Sequence, residues 1–191
     1  MIAALYVEPR GVYSNQAGID PWDEARDATK YRGPHPVVAH PPCQRWSRLA
    51  KLAHDRYGAP PPGADGGLFE ASLRSLQTYG GVLEHPRGSK AFDKYAIRKP
   101  VFGEGWQPDT VLIYGPRNSL SVWVCEVHQS AYGHRAQKAT WLVYVGRRKP
   151  FDLDWSSPPV TNTVENMGHK ERRATPPRFR DVLVALAEWS R

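Results

Sequence analysis

The chain has 191 residues, enough for one domain with a core of ordinary size and too few for two complete ones, so residues 1–191 read as a single domain. Its 26 Lys and Arg against 19 Asp and Glu leave a formal charge of +7, which favours a polyanionic partner, nucleic acid or nucleotide. Apolar runs such as "DVLVALA" are far too short to cross a bilayer, and the opening "MIAALYVEPRG" lacks the basic start and long apolar core of a signal peptide. Two cysteines form no disulfide framework, and the sequence contains no CxxC and no HxxxH pair, so no metal is expected. The reading is of a soluble, cytoplasmic protein.

In chain order, residues 2–7, "IAALYV", read as a strand ended by the turn "EPRG". The stretch to Pro36 is rich in Gly, Pro, Asp and Asn, with at most a short helix around "PWDEARDA". "PVVAH" reads as a buried strand, because the three residues between proline and histidine are all apolar and two of them are β-branched. "QRWSRLAKLAHDRY" places Trp46, Leu49, Leu52 and Ala53 at helical spacing. Residues 58–67 form a loop of three prolines and four glycines. Then come a helix, "LFEASLRSLQTYG", and a short strand, "GGVLEHP". "SLSVWVCEVHQ" and "ATWLVYVG" are later strands, Cys125 being a buried apolar thiol within the first. "TPPRFRDVLVALAEWS" starts with a Thr cap and presents Phe179, Leu183, Leu186 and Ala187 on one face of a helix. Strands alternating with helices indicate an α/β fold, a mostly parallel sheet flanked by helices.

In open α/β sheets, ligands sit at the carboxyl ends of strands. Two predicted strand ends carry useful chemistry, "VVAHPPC" with Cys43 and "GVLEHP" with Glu84. A thiolate and a carboxyl group aimed at one cleft suit attack on a pyrimidine: sulfur adds to C6, an acid near N3 offsets the charge, and C5 becomes nucleophilic.

These residues resemble the cytosine-C5 DNA methyltransferases. "PPCQRWS" is similar to their Pro-Cys loop, with Cys43 matching the attacking thiol and Ser47 the closing serine. "VLEHP" looks like their Glu-Asn-Val strand end, with Glu84 on the base-contacting glutamate and His85 in place of the asparagine. "YGHRAQKATWLVYVG" resembles their Gln-x-Arg-x-Arg segment, but Ala136, Lys138 and Thr140 occupy the three motif positions, leaving Lys138 and Arg135 as the cations nearest the pattern. The last helix, with Asn166 upstream, is similar to their final motif. Where the family has a Phe-x-Gly-x-Gly loop, this chain has "VEPRGVYSNQAG", and no large target-recognition region precedes the last helix.

The resemblance implies a compact, phage-like member with a truncated Rossmann-like methyltransferase fold that modifies cytosine C5 in DNA using S-adenosylmethionine. It places Glu8, Asp20, Trp22, Asp27, Pro42 and Asn166 at the cofactor, and Arg45, Trp46, Ser47 and Arg48 at the nucleic acid. A recognition partner or a second copy could supply what the short recognition region lacks. Three alternatives stay open: the same covalent activation with another donor, a catalytically degenerate DNA-binding fold, and a cysteine hydrolase using His40 or His85 as base.

Overall fold

The computed structural model describes residues 1–110 and 120–191. Seven strands form one sheet: β1 (Ile2–Leu5), β2 (Ile19–Trp22), β3 (Val37–Ala39), β4 (Gly81–Pro86), β5 (Gln107–Asp109), β6 (Ser121–His128) and β7 (Ala139–Gly146). Their order across the sheet is β2-β1-β3-β4-β7-β6-β5. Strands β1 to β4 pair in parallel, whereas β4–β7, β7–β6 and β6–β5 are antiparallel, so five of the seven strands point the same way. The expected α/β sheet is therefore present, with an antiparallel half that strand-helix alternation did not suggest.

Five α-helices accompany the sheet among the described residues: α1 (Ala50–Tyr57), α2 (Leu68–Tyr79), α3 (Lys90–Lys94), α4 (His169–Arg173) and α5 (Pro177–Trp189). Side chains alternate across a strand, which divides the core in two. Ala3, Leu5, Val37, Ala39 and Leu83 pack under Phe69, Leu73 and Leu76 of α2. Ile2, Ala4, Val38 and Val82 pack under Phe179, Leu183 and Leu186 of α5. Each of these large apolar side chains contributes about 1.5–3 kcal/mol on burial. Gly81 lets β4 approach β3: its φ is +128°, and a Cβ there would sit 1.9 Å from the Val37 carbonyl oxygen.

Several elements differ from the sequence reading. "QRWSRLAKLAHDRY" is a 3₁₀ turn over Gln44–Trp46 followed by α1, in which Leu49, beside the helix, and Leu52 stay exposed while Trp46 and Ala50 are buried. The short helix expected around "PWDEARDA" is a 3₁₀ turn, Glu24–Arg26, and its leading residues belong to β2. Both β2 and β5 contain a proline and lie at the sheet's edges, where a missing N–H is tolerated. Pro176, not Thr175, precedes α5, and no side chain caps that helix. Ser119 of the predicted strand "SLSVWVCEVHQ" lies outside the described residues. No helix among the described residues is long and apolar enough to cross a membrane.

Candidate active site

Strand β1 has β2 on one side and β3 on the other. That is a topological switch point, the place where an α/β sheet opens a crevice at its carboxyl edge. The His40 amide donates to the Leu5 carbonyl at 3.0 Å, which holds the end of β3 against the end of β1. Pro41 and Pro42 then end the strand, and Cys43 stands at the start of the 3₁₀ turn, where the Trp46 amide donates to its carbonyl at 3.0 Å.

Glu84 faces the α5 side of β4, and two groups converge on it, the part-buried His40 and the buried Gln129. His40 Nδ1 lies 3.1 Å from Oε2, and Gln129 Nε2 donates to Oε1 at 3.3 Å and to Thr140 Oγ1 at 2.9 Å. The far ring nitrogen of His40 meets the Tyr13 hydroxyl at 2.8 Å. Burial by itself raises Glu84, but the His40 hydrogen bond and the positive charges of His40 and Lys138 outweigh it and hold the carboxyl at about 2. Glu84 is thus a carboxylate at neutral pH, and His40 Nδ1 carries the hydrogen between them.

Cys43 is a free, half-buried thiol. Burial pushes it above the ordinary thiol range and the Glu84 charge pushes the same way, partly offset by Lys138 and Arg173. Burial in turn lowers Lys138, against the opposing pull of Glu84, Cys43 and Glu8. Lys138 Nζ donates to the Ala174 carbonyl at 2.7 Å from a left-handed backbone, φ +42°. Cys43, Glu84 and Lys138, all expected at the reacting centre, therefore share one electrostatic neighbourhood. Arg135 does not join them: its side chain is 68% exposed and paired with Glu171 at 2.8 Å. The second cation near Cys43 is Arg173, which pairs with Glu8 at 3.3 Å.

The residues assigned to S-adenosylmethionine do not fit it as they stand. One oxygen of Asp20 takes the Trp22 indole N–H at 2.8 Å and the other takes Arg26 at 2.5 Å, while the Arg26 guanidinium lies 4.1 Å over the Trp22 ring that would have held the nucleoside. Asp27 caps its own turn through the Thr29 amide and hydroxyl and pairs with Lys30 at the surface. Glu8 is held by Arg173, Pro42 is exposed, and Asn166 sits exposed in the 3₁₀ turn Val164–Asn166. The loop after β1 makes its tight turn at Glu8–Gly11 with Tyr6, Arg10 and Asn15 at positive φ, not with a run of glycines.

The residues assigned to nucleic acid divide. Trp46 is 2% exposed and its indole donates to Asp65 Oδ2 at 2.9 Å, so it fastens the 58–67 loop and does not stack on a base. Ser47 is exposed and bonded to the Gln44 carbonyl. Arg48 is exposed with its guanidinium beside Gly88, and Arg45 is held by the Pro60 carbonyl at 2.7 Å.

Neither histidine can serve Cys43 as a hydrolase would need. Both ring nitrogens of His40 are committed to Tyr13 and Glu84. His85 points to the other side of β4, fully buried edge-on to Phe69 at 5.1 Å, and burial depresses it to about 4. The parts of the site that the sequence did not single out are Tyr13, Gln129 and Arg173. His40 stood at the same strand end as Cys43, which was the available signal, whereas nothing near Tyr13 or Gln129 marks them. Two surface hollows, of about 750 and 600 Å³, lie away from this edge, beside Pro36, Gly80 and Arg147 and along α2. No trio of His, Cys, Asp or Glu among the described residues could hold a metal ion. Compared with known proteins, the chain matches no protein family and no curated protein.

Proposed function

We propose that this chain modifies C5 of a pyrimidine, cytosine in DNA, by covalent activation through Cys43. The observation that carries the reading is that Cys43 after β3, Glu84 in β4 and Lys138 just before β7 lie close enough to act on one another's charge. Lys138 favours the thiolate, which adds to C6. The C5=C6 electron pair then makes C5 nucleophilic, and C5 attacks an electrophilic carbon. Loss of the C5 proton and of the sulfur restores the ring. Glu84, held ionised by His40, accepts a hydrogen bond from a ring donor such as the 4-amino group and so orients the base.

Methyl transfer from S-adenosylmethionine is the form the resemblance to cytosine-C5 methyltransferases implies. The engagement of Asp20 by Trp22 and Arg26 favours a second form, the same activation with another one-carbon electrophile. The chain's formal charge of +7 and the exposed Arg48 support DNA as the substrate polymer, with a partner chain or a second copy completing target recognition.

Activation can be tested without knowing the donor, because a C5 made nucleophilic exchanges its hydrogen with water. DNA carrying tritium at cytosine C5 should release label to solvent on incubation with the protein. Release should vanish in Cys43→Ala and fall about 100-fold or more in Glu84→Gln. Undiminished release from Cys43→Ala would end the proposal.

A further inference from the structure

A second chain of polar groups lies on the opposite side of the sheet from Glu84. Glu126 and His128 are two residues apart on β6 and face the α2 side together with Val124. Ser157 reaches them from the segment that follows Trp155. Its Oγ is 2.7 Å from His128 Nδ1, and His128 Nε2 is 3.4 Å from Glu126 Oε1. We propose that Ser157, His128 and Glu126 form a second nucleophilic site that takes an acyl group from a carboxylic ester.

The hydrogen bonds have the polarity this chemistry requires. Glu126 accepts the Trp141 indole N–H at 2.9 Å and the Arg87 guanidinium at 3.3 Å, which fix it as a carboxylate with His128 Nε2–H pointing at it. Nδ1 is then the acceptor. Gln137 Nε2 donates to Ser157 Oγ at 3.0 Å, so the serine's own hydrogen is left to point at His128. The imidazole cannot swing away: it is 4% exposed and lies flat on Phe102, with centroids 3.9 Å apart and planes within 1°. Burial lowers its proton affinity and keeps it a neutral base. Ser157 itself is exposed and open to a substrate. A nucleophile, a base and a carboxylate that orients the base are the three parts of an activated hydroxyl.

In the reaction the Ser157 Oγ–carbon bond forms while the hydroxyl proton passes to His128 Nδ1 and the carbonyl electron pair moves to oxygen. Collapse expels the alcohol, which leaves with that proton, and water cleaves the acyl-serine by the same route. A purely structural tie between the 147–163 segment and β6 would use the same hydrogen bonds but would not make Ser157 reactive.

The test is a fluorophosphonate, which forms a phosphorus–oxygen bond to an activated serine and loses fluoride, read by peptide mass spectrometry on the full chain. Ser156, its exposed neighbour, is the internal reference. Labelling of Ser157 should exceed that of Ser156 by about 100-fold or more and should fall by a similar factor in His128→Gln. It should be absent in Ser157→Ala, where circular dichroism reports that the fold is retained. Labelling of Ser157 no faster than Ser156, or equal labelling in a His128→Gln protein of native circular dichroism, would overturn the proposal. Neither outcome depends on Cys43 or on the reading of the first site.

Discussion

Replacing His40 by alanine should change how the protein responds to acid. Glu84 sits at about 2 in the folded chain against an ordinary 4.5. At about 1.4 kcal/mol per pH unit, that difference corresponds to roughly 3 kcal/mol of stability. Because the folded value is depressed, this contribution is present above pH 4.5 and is lost as pH falls through about 2. Removing His40 takes away the 3.1 Å hydrogen bond and leaves the weaker one from Gln129 at 3.3 Å, while the burial that raises the carboxyl persists. The Glu84 carboxyl carbon, followed by ¹³C NMR, should then titrate well above the wild-type value. In urea unfolding, the wild-type slope between pH 4.5 and 2 should flatten, and stability at pH 7 should fall by about 3 kcal/mol, as for a broken buried pair. A wild-type Glu84 that titrates in the ordinary carboxylate range, or an acid slope unchanged in His40→Ala, would refute the reasoning.

His85→Leu should stabilise the protein by about 1 kcal/mol, since the fully buried ring, edge-on to Phe69, has at most the Pro41 carbonyl beside it to satisfy its two nitrogens. It should also erase the loss of stability that His85 imposes as pH falls from 6.5 toward 4, measurable in the same urea series. Cys43 should react with iodoacetamide more slowly than a free thiol at pH 7.5 and accelerate as pH passes the ordinary thiol value, and Lys138→Met should slow it further by removing a charge that favours the thiolate. Equal rates in wild type and Lys138→Met would count against their proximity. Gly81→Ala should cost about 4 kcal/mol or more, because the added Cβ meets the Val37 carbonyl at 1.9 Å in a left-handed backbone. A native melting curve for that variant would contradict the β3–β4 pairing.

The buried strands were legible because they are continuous apolar runs: "IAAL" and "PVVAH" leave no other use for so many buried positions. The helical face of α5 was legible for the same reason, and all four of its predicted core residues are buried. The edge strands β2 and β5 were hidden, since each is short, carries a proline and gains its identity from pairing with a neighbour distant in sequence. Trp46 was assigned to the nucleic acid for its place beside a cationic segment, although an aromatic in the first turn of an amphipathic helix is more often core, and the deciding partner, Asp65, lies in a loop 19 residues away. Cys43 and Glu84 were reachable through the rule that strand ends carry chemistry, and Lys138 through the resemblance of "YGHRAQKATWLVYVG" to an arginine motif. Tyr13 and Gln129 were not, because they come from loop and turn positions, Tyr13 to His40 from 27 residues away and Gln129 to Glu84 from 45. Arg173 was visible only as one charge in "HKERR", a stretch that solvated surfaces also use.

The central claim is that Cys43 is a nucleophile toward a pyrimidine ring. DNA containing 2-pyrimidinone, a base that takes up a thiolate at C6 without any carbon donor, tests it most directly when the denatured protein is weighed by mass spectrometry. The account predicts a mass equal to protein plus oligonucleotide, with the bond mapped to Cys43, formed more slowly in Lys138→Met and absent in Cys43→Ala. Unmodified wild-type protein at saturating DNA, or an adduct that persists in Cys43→Ala, would contradict it.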